Sequence, residues 1–273
     1  MKYGFVLPRG DARAAADYAR EVESAGWDGF FVWEAVWGTD PWVSLSAAAM
    51  ITERIRLGTM LTPLPALQPW QIAAITATLD RLSNGRLILS VGLGALDTGW
   101  KEFGLETDRK VRAELLDEGL DILTGLWHGQ PFQYDGKHHH IHPVKFPFIP
   151  EPPVQQPHIP IWVVGAWPSM KSMRRALKYD GLLPQIKKKG RWGETAPDDI
   201  REIKAWIVKN RTRDGTFDIV VEGLTPGDDP VKAAGIIRPW IDAGATWWIE
   251  AMWDQPPMED VLKRIRQGPP RLT

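Results

Sequence analysis

Short apolar runs alternate with amphipathic stretches along this chain. Tyr3–Leu7 is a strand-length run stopped by Pro8. Asp11 can cap a helix whose Ala15, Tyr18, Ala19 and Val22 fall at helical spacing, and Gly26 ends it. Phe30–Trp33 predicts a second strand that runs into Glu34, followed by a helix over Trp42–Thr52. Ile55–Leu61 is the third strand, closed by Thr62-Pro63-Leu64-Pro65. Pro69 suits a first helical turn, and Ile72, Ile75, Leu79 and Leu82 form one stripe ended by Asn84-Gly85. Leu87–Val91 reads as a buried fourth strand that breaks into Gly92-Leu93-Gly94. Arg109–Trp127 is the longest helical pattern, with Val111, Leu115, Ile122 and Leu126 on one face.

The rhythm breaks over 129–160, a segment rich in Pro and His without helical period. Phe132–Ile141 looks like a small hairpin with Asp135-Gly136 in its turn. Strands then resume at Ile161–Val164, Gly181–Leu183, Phe217–Val221 and Trp247–Met252. Helices follow them around Met170–Leu177, where Ser169 can cap, and at Asp198–Asn210, Val231–Ala243 and Met258–Arg266. Strands alternating with helices call for a parallel sheet with right-handed crossovers. The count and the length, 273 residues, fit one (β/α)8 barrel domain spanning 1–273, with 129–160 inserted between strands four and five. A doubly wound open sheet is the alternative, but Gly92-Leu93-Gly94 lacks the third glycine of a dinucleotide turn. In a barrel the site lies at the carboxyl ends of the strands. The candidates there are Trp33/Glu34, Met60–Pro63, Gly92–Gly94, Gly165–Trp167, Pro184/Gln185, Glu222/Gly223 and Met252–Asp254.

Composition narrows the classes. A net charge of −1 argues against nucleic acid or an acidic membrane surface as partner. No run of about 18 apolar residues exists, and the first apolar run is too short for a signal segment. Without Cys there is no thiolate nucleophile or Cys-ligated metal, and a cytoplasmic location follows. The 15 Trp are numerous enough to pose a question. They serve either as large packing units or as walls for a flat ligand. Trp33, Trp37, Trp42, Trp100, Trp167 and Trp253 fall just after predicted strands, where a pocket would be, whereas Trp206 and Trp240 fall in helices and read as core or subunit contacts.

An ordered set of motifs resembles the luciferase-like monooxygenase superfamily. It comprises Arg56-Leu57-Gly58-Thr59, Leu64-Pro65, the joint Leu79-Asp80-Arg81-Leu82-Ser83-Asn84-Gly85-Arg86, Gly92-Leu93-Gly94 and Glu102-Phe103-Gly104. Arg109, Glu114, Leu126-Trp127, Pro160–Gly165 and Asp180-Gly181 continue it. The resemblance implies a barrel oxidoreductase, a homodimer, that binds flavin mononucleotide (FMN) or the deazaflavin coenzyme F420 in reduced form, together with a small organic substrate. It implies an isoalloxazine ring near Trp33, Met60-Leu61 and Gly92-Leu93-Gly94, with a non-prolyl cis peptide at Met60–Leu61 or a neighbouring bond. Gly92 and Gly94 then read as room for the ring. The phosphate would sit over Gly165-Ala166-Trp167-Pro168-Ser169-Met170 and Ser172, with Arg109 as a further cation. A helix start, with unpaired N–H groups and a positive dipole end, suits an anion. The general barrel rule points instead to the loops after strands seven and eight, here Gly223–Gly227.

Many members of that family carry a His after the acidic residue of strand two. Here Glu34 is followed by Ala35. Glu34 is thus the candidate catalytic acid or base, with an exposed loop carboxylate as the alternative. His138, His140 and His142 share a face if the segment is extended, but without an acidic cluster they read as a solvated or subunit-facing patch, and no metal is expected. Lys187–Arg191 reads as a solvated charge run, or as a basic lip for an acidic cofactor tail. FMN would make the chain an oxygenase and F420 a hydride-transfer enzyme. A flavin-binding barrel without catalysis and a metal-dependent hydrolase are readings from other classes.

Overall fold

The computed structural model describes residues 1–188 and 190–272. Its first half runs β1 (Lys2–Leu7), α1 (Ala12–Ser24), β2 (Gly29–Val32), α2 (Pro41–Ala49), β3 (Arg56–Thr59), α3 (Pro69–Leu82), β4 (Leu87–Val91) and α4 (Arg109–Trp127). A short antiparallel pair follows, β5 (Tyr134–Asp135) with β6 (His140–Ile141). The second half runs β7 (Ile161–Trp167), α5 (Met170–Leu177), β8 (Gly181–Lys188), β9 (Arg191–Gly193), α6 (Pro197–Asn210), β10 (Asp218–Gly223), α7 (Pro230–Ala243), β11 (Trp247–Ala251) and α8 (Met258–Arg266). The order β1-β2-β3-β4-β7-β8-β10-β11, closed by β11 against β1, is a parallel eight-stranded (β/α)8 barrel.

Asp11 caps α1 as the sequence predicts, and Asp40 and Asp108 cap α2 and α4. Asp11 Oδ1 accepts the Ala14 N–H at 2.8 Å. Asp40 and Asp108 each accept two N–H groups of the helix that follows them. Ser169 occupies the cap position of α5, yet its hydroxyl makes no cap bond. The backbone there is held instead by Ser172, whose Oγ accepts the Ala166 N–H at 3.0 Å.

Alternate residues of each strand face opposite ways, and so two cores form. The larger lies between the outer barrel wall and the helices. The smaller fills the barrel interior and centres on Phe31, Trp162 and Trp247, whose rings lie 5.2–5.9 Å apart. Gly29 and Gly58 make that possible, because a Cβ at either would stand within 3.0 Å of the Phe31 ring. Three large aromatic side chains thus close the barrel floor. A Trp-rich sequence is explained partly by this plug, which the positions after the strands do not include.

The Asp80–Arg86 joint, the most specific motif, is scaffolding at the amino end of the barrel. The buried Arg86 guanidinium donates to carbonyls of Ala49, Thr52, Ile55 and Ser83 and to the Thr52 hydroxyl. Asp80 accepts the backbone and side-chain N–H groups of Gln155, which ties the 129–160 excursion to the same end. The excursion's hairpin packs outside the barrel on Trp70 and on Glu114 and Glu118 of α4, and none of its residues lines the two cavities at the mouth. The hairpin forms with Gly136 in the turn, but Asp135 belongs to the strand. Asp135 pairs with His140, and the loop between them is wider than a two-residue turn because the Glu118 carboxylate accepts the N–H groups of Lys137, His138 and His139.

Strand six also differs from expectation. It continues past Leu183 to Lys188 and folds back into β9, with Lys187 opposite Trp192. Beyond the barrel rim a hairpin needs no apolar alternation, so its lysines hide it in the sequence. No helix among the described residues is long and apolar enough to cross a membrane.

Candidate active site

The carboxyl ends of the strands enclose two joined lobes. The first, about 600 Å³, is lined from β2 by Trp33 and Glu34, from the end of β3 by Met60, Leu61 and Pro63, and after β4 by Leu93 and Gly94. Arg109 and Arg112 enter from the start of α4, Ala166 from β7, and Ser172 and Arg175 from α5. The Met60–Leu61 peptide is cis and non-prolyl, as the resemblance anticipates. Trp33 is fixed by its indole N–H, which donates to the Pro8 carbonyl at 2.8 Å.

This lobe has two chemical poles. At one stands Glu34, whose Oε2 is buried without a hydrogen-bond partner. Burial pushes its carboxyl up to about 7; the Thr62 hydroxyl opposes this and the Asp40 charge adds to it. At the other stand the arginines. Arg112 Nη1 donates to the carbonyls of Leu93 and Gly94, both at 3.1 Å, while its Nε has no partner. Burial and the neighbouring Arg109 charge lower its pKa. Arg175 is committed to Asp117 through Nε and Nη2. Arg109 lies 5.5 Å from the Trp192 ring. Two cations, Arg109 and Arg112, lining one side of the lobe make a place for an anion.

The second lobe, about 560 Å³, shares Met60, Leu61, Val164, Gln185, Trp192 and Trp253 with the first. Glu222 stands in it and accepts the Trp253 indole N–H at 3.3 Å. Water reaches this carboxyl through the mouth, yet protein crowds it, and burial raises its pKa against the pull of that bond.

Of the sequence candidates, Trp33, Glu34, Met60, Leu61, Leu93, Gly94, Arg109, Ala166 and Ser172 line the first lobe. Gly92, Gly165, Trp167, Pro168, Ser169 and Met170 lie outside that lining. Gly92 and Gly94 do not leave open space. A Cβ on Gly92 would meet Leu61 and Val164, and one on Gly94 would meet Trp100 at 2.3 Å. The missing side chains admit protein, with Gly94 at φ +81°. Trp167 packs edge-on to Trp206, with ring centres 6.0 Å apart. Trp42 and Trp100 are buried, while Trp37 is 82% exposed beside Phe103. Trp206 and Trp240 pack against the larger core as expected, Trp240 with its ring 6.0 Å from that of Trp248, and Trp240 also lines the second lobe. Reading along the chain missed Arg112, Arg175 and Trp192. Only the i, i+3 spacing of Arg112 from Arg109 signalled that both reach one place.

The rival sites resolve differently. The loop after β10 is anchored to the protein itself: Glu250 accepts the Thr225 N–H and hydroxyl and the Arg264 guanidinium. His138 bonds Glu114 and His140 bonds Asp135. Among the described residues no cluster of His, Asp and Glu could hold a metal. Of the basic run, Lys187 lies over Trp192 and Lys188 is paired with Asp199; Lys189 lies outside the described residues.

A two-lobed cavity with one acidic and one cationic pole, at the carboxyl end of a (β/α)8 barrel, defines a barrel of the enzyme type. The chain belongs to the luciferase-like monooxygenase family, whose pattern matches residues 4–242. An uncharacterised protein of Mycobacterium tuberculosis (strain ATCC 25618 / H37Rv) is 36% identical, covering 93% of each chain. Two solved structures share the fold. One is the coenzyme F420-dependent tetrahydromethanopterin reductase from Methanopyrus kandleri, with a TM-score of 0.79, 17% identity and 98% of each chain covered. The other is the oxygenating constituent of 3,6-diketocamphane monooxygenase from Pseudomonas putida, in complex with FMN. Its TM-score is 0.75 at 16% identity, over 98% of this chain and 96% of that one.

Proposed function

We propose that the first lobe binds a flavin-type cofactor, and that the protein is an oxidoreductase acting on a small organic molecule. The carrying observation is the pairing of a buried, partnerless Glu34 oxygen with a cationic pole across one cavity about 600 Å³ in size. FMN and F420 share the chemistry these poles fit, a flat heterocycle with hydrogen-bonding edges joined to a phosphoryl group. Arg109, Arg112 and the Ser172 hydroxyl would hold the phosphoryl group, with Arg175, already paired with Asp117, behind them. Met60, Leu61 and Trp33 bound the ring and exclude water. When bound, the cofactor supplies the redox chemistry, oxygen activation for FMN or hydride transfer for F420. Glu34, with its carboxyl pushed up to about 7, can hold a proton near neutral pH and would serve as an acid or base beside a bound ring. With Ala35 where many relatives carry His, Glu34 is the acid or base of that pole.

FMN is the first reading and F420 the second. The Lys187–Lys188 segment, which would favour an acidic tail, is engaged by Trp192 and Asp199. Titration with each cofactor, followed by Trp fluorescence, is the test. Saturable binding of one fixes the reaction class, and binding of neither removes the proposal. Turnover with the reduced cofactor then separates an enzyme from a barrel that only binds.

A further inference from the structure

The barrel wall comes apart between β8 and β10. Their register covers only Asp218↔Gly181 and Ile219↔Leu182. Beyond it β8 stays with β7 as far as Trp167↔Ile186, and its other edge is taken by β9 from Ile186 onward. β10 stays with β11 as far as Gly223↔Glu250. Leu183–Gln185 and Val220–Glu222 therefore face a slot with no strand partner across it. Pro184 suits that edge because it has no N–H to satisfy. The second lobe fills the slot and reaches through the wall to Trp240 of α7.

Its chemistry is specific. Trp192, Trp240 and Trp253 offer flat apolar faces, while Glu222 and Gln185 offer polar atoms. Among the described lining residues none is Lys or Arg, and the charged ones are Glu194 and Glu222. Lys187 and Arg109 lie against the Trp192 ring, but an anion placed beside Glu222 would meet a like charge.

We propose that this slot is the substrate subsite, and that it takes an uncharged molecule with a flat apolar face and a hydroxyl or carbonyl oxygen held by the Glu222 carboxyl. The inference rests on the flavin reading of the first lobe, because the shared Met60 and Leu61 put a molecule in the slot next to the ring. Trp253 Nε1 orients the carboxyl through its hydrogen bond to Oε2. A protonated carboxyl donates to a carbonyl, and an ionised one accepts from a hydroxyl.

The test uses fluorotryptophan-labelled full-length protein and fluorine NMR, with benzyl alcohol, toluene and benzoate as probes. The Trp240 and Trp253 signals are assigned from W240F and W253F. Benzyl alcohol is expected to shift both, and benzoate to bind at least about tenfold more weakly. E222L should weaken benzyl alcohol roughly tenfold while leaving toluene within about threefold, and E222Q should keep the alcohol affinity. Unchanged Trp27 and Trp127 signals report folding. Should E222L fail to fold, W240A decides instead, since opening the back of the slot must cost benzyl alcohol roughly tenfold. Signals that move only elsewhere, benzoate as tight as the alcohol, or an alcohol affinity indifferent to E222L or W240A overturns the inference. FMN and F420 titrated into the same sample separate the two claims. Cofactor binding with a silent slot removes the slot alone. Probes in the slot with neither cofactor bound remove the flavin reading and with it the slot's role as a substrate subsite, leaving only its ligand chemistry.

Discussion

The floor and the mouth of the barrel are built from the same strands and obey opposite rules. At the floor, Phe31, Trp162 and Trp247 interlock as uncharged rings, and the only buried polar atom among the three without a partner is the Trp247 indole N–H. At the mouth, Glu34 after β2 and Arg112 on α4 are ionisable groups, each with a buried polar atom that has no partner in the protein. Glu250, on the outward face of β11, sharpens the contrast. It is fully buried, yet it accepts bonds from Thr225, Trp248 and Arg264. A buried carboxylate that serves the fold is fully partnered; one left partly bare inside a cavity is held for something else.

The largest effect should come from breaking the floor. Trp162→Ala removes the centre of the plug and is expected to cost about 3–5 kcal/mol in urea unfolding. A change below about 1 kcal/mol would mean the floor is not the packed region described.

The next effect has the opposite sign. The Glu34 carboxyl titrates at about 7 in the folded chain against 4.5 as its ordinary value. Between these limits the folded state holds the extra proton, so Glu34 lowers stability progressively as pH rises through that window. Glu34→Gln should therefore stabilise the cofactor-free protein by about 1–3 kcal/mol above pH 7, with the gain fading towards pH 4.5. A destabilised variant, or a gain independent of pH, would show that Glu34 is satisfied in the fold.

Ser172→Asp places a negative charge at the cationic pole, where it can still accept the Ala166 N–H. The affinity of whichever cofactor binds should fall roughly tenfold, with folding unchanged. Equal affinity would move the phosphoryl group elsewhere. The smallest effect belongs to the hairpin histidines. His140→Ala loses an exposed pair with Asp135 and should change stability by less than about 0.5 kcal/mol, and cofactor affinity not at all.

The alternation of apolar runs and amphipathic stretches carried the barrel, and the boundaries of β4, α4 and α8 came out as the spacing predicts. What stayed hidden was long-range. Arg175 looks like any helix-end arginine until α5 packs beside α4, and Trp192 looks like a loop residue until β9 folds over the mouth. The Leu79–Arg86 motif identified the family, but its side chains brace the amino end of the barrel, far from the chemistry. Gly92 and Gly94 read as room for a ring in the sequence, whereas in the fold Leu61 and Trp100 stand where their side chains would go. The strand-end tryptophans divided between core and cavity because strand register, invisible in one sequence, decides which way each points.

The central claim is that the mouth recognises a ring and a phosphoryl group at separate poles. The direct measurement compares the tighter-binding cofactor with its counterpart lacking the phosphoryl group, riboflavin for FMN or the bare deazaflavin for F420. The account predicts at least about a tenfold loss of affinity for the counterpart, and a loss that shrinks at high salt. Equal affinities at every salt concentration would contradict it.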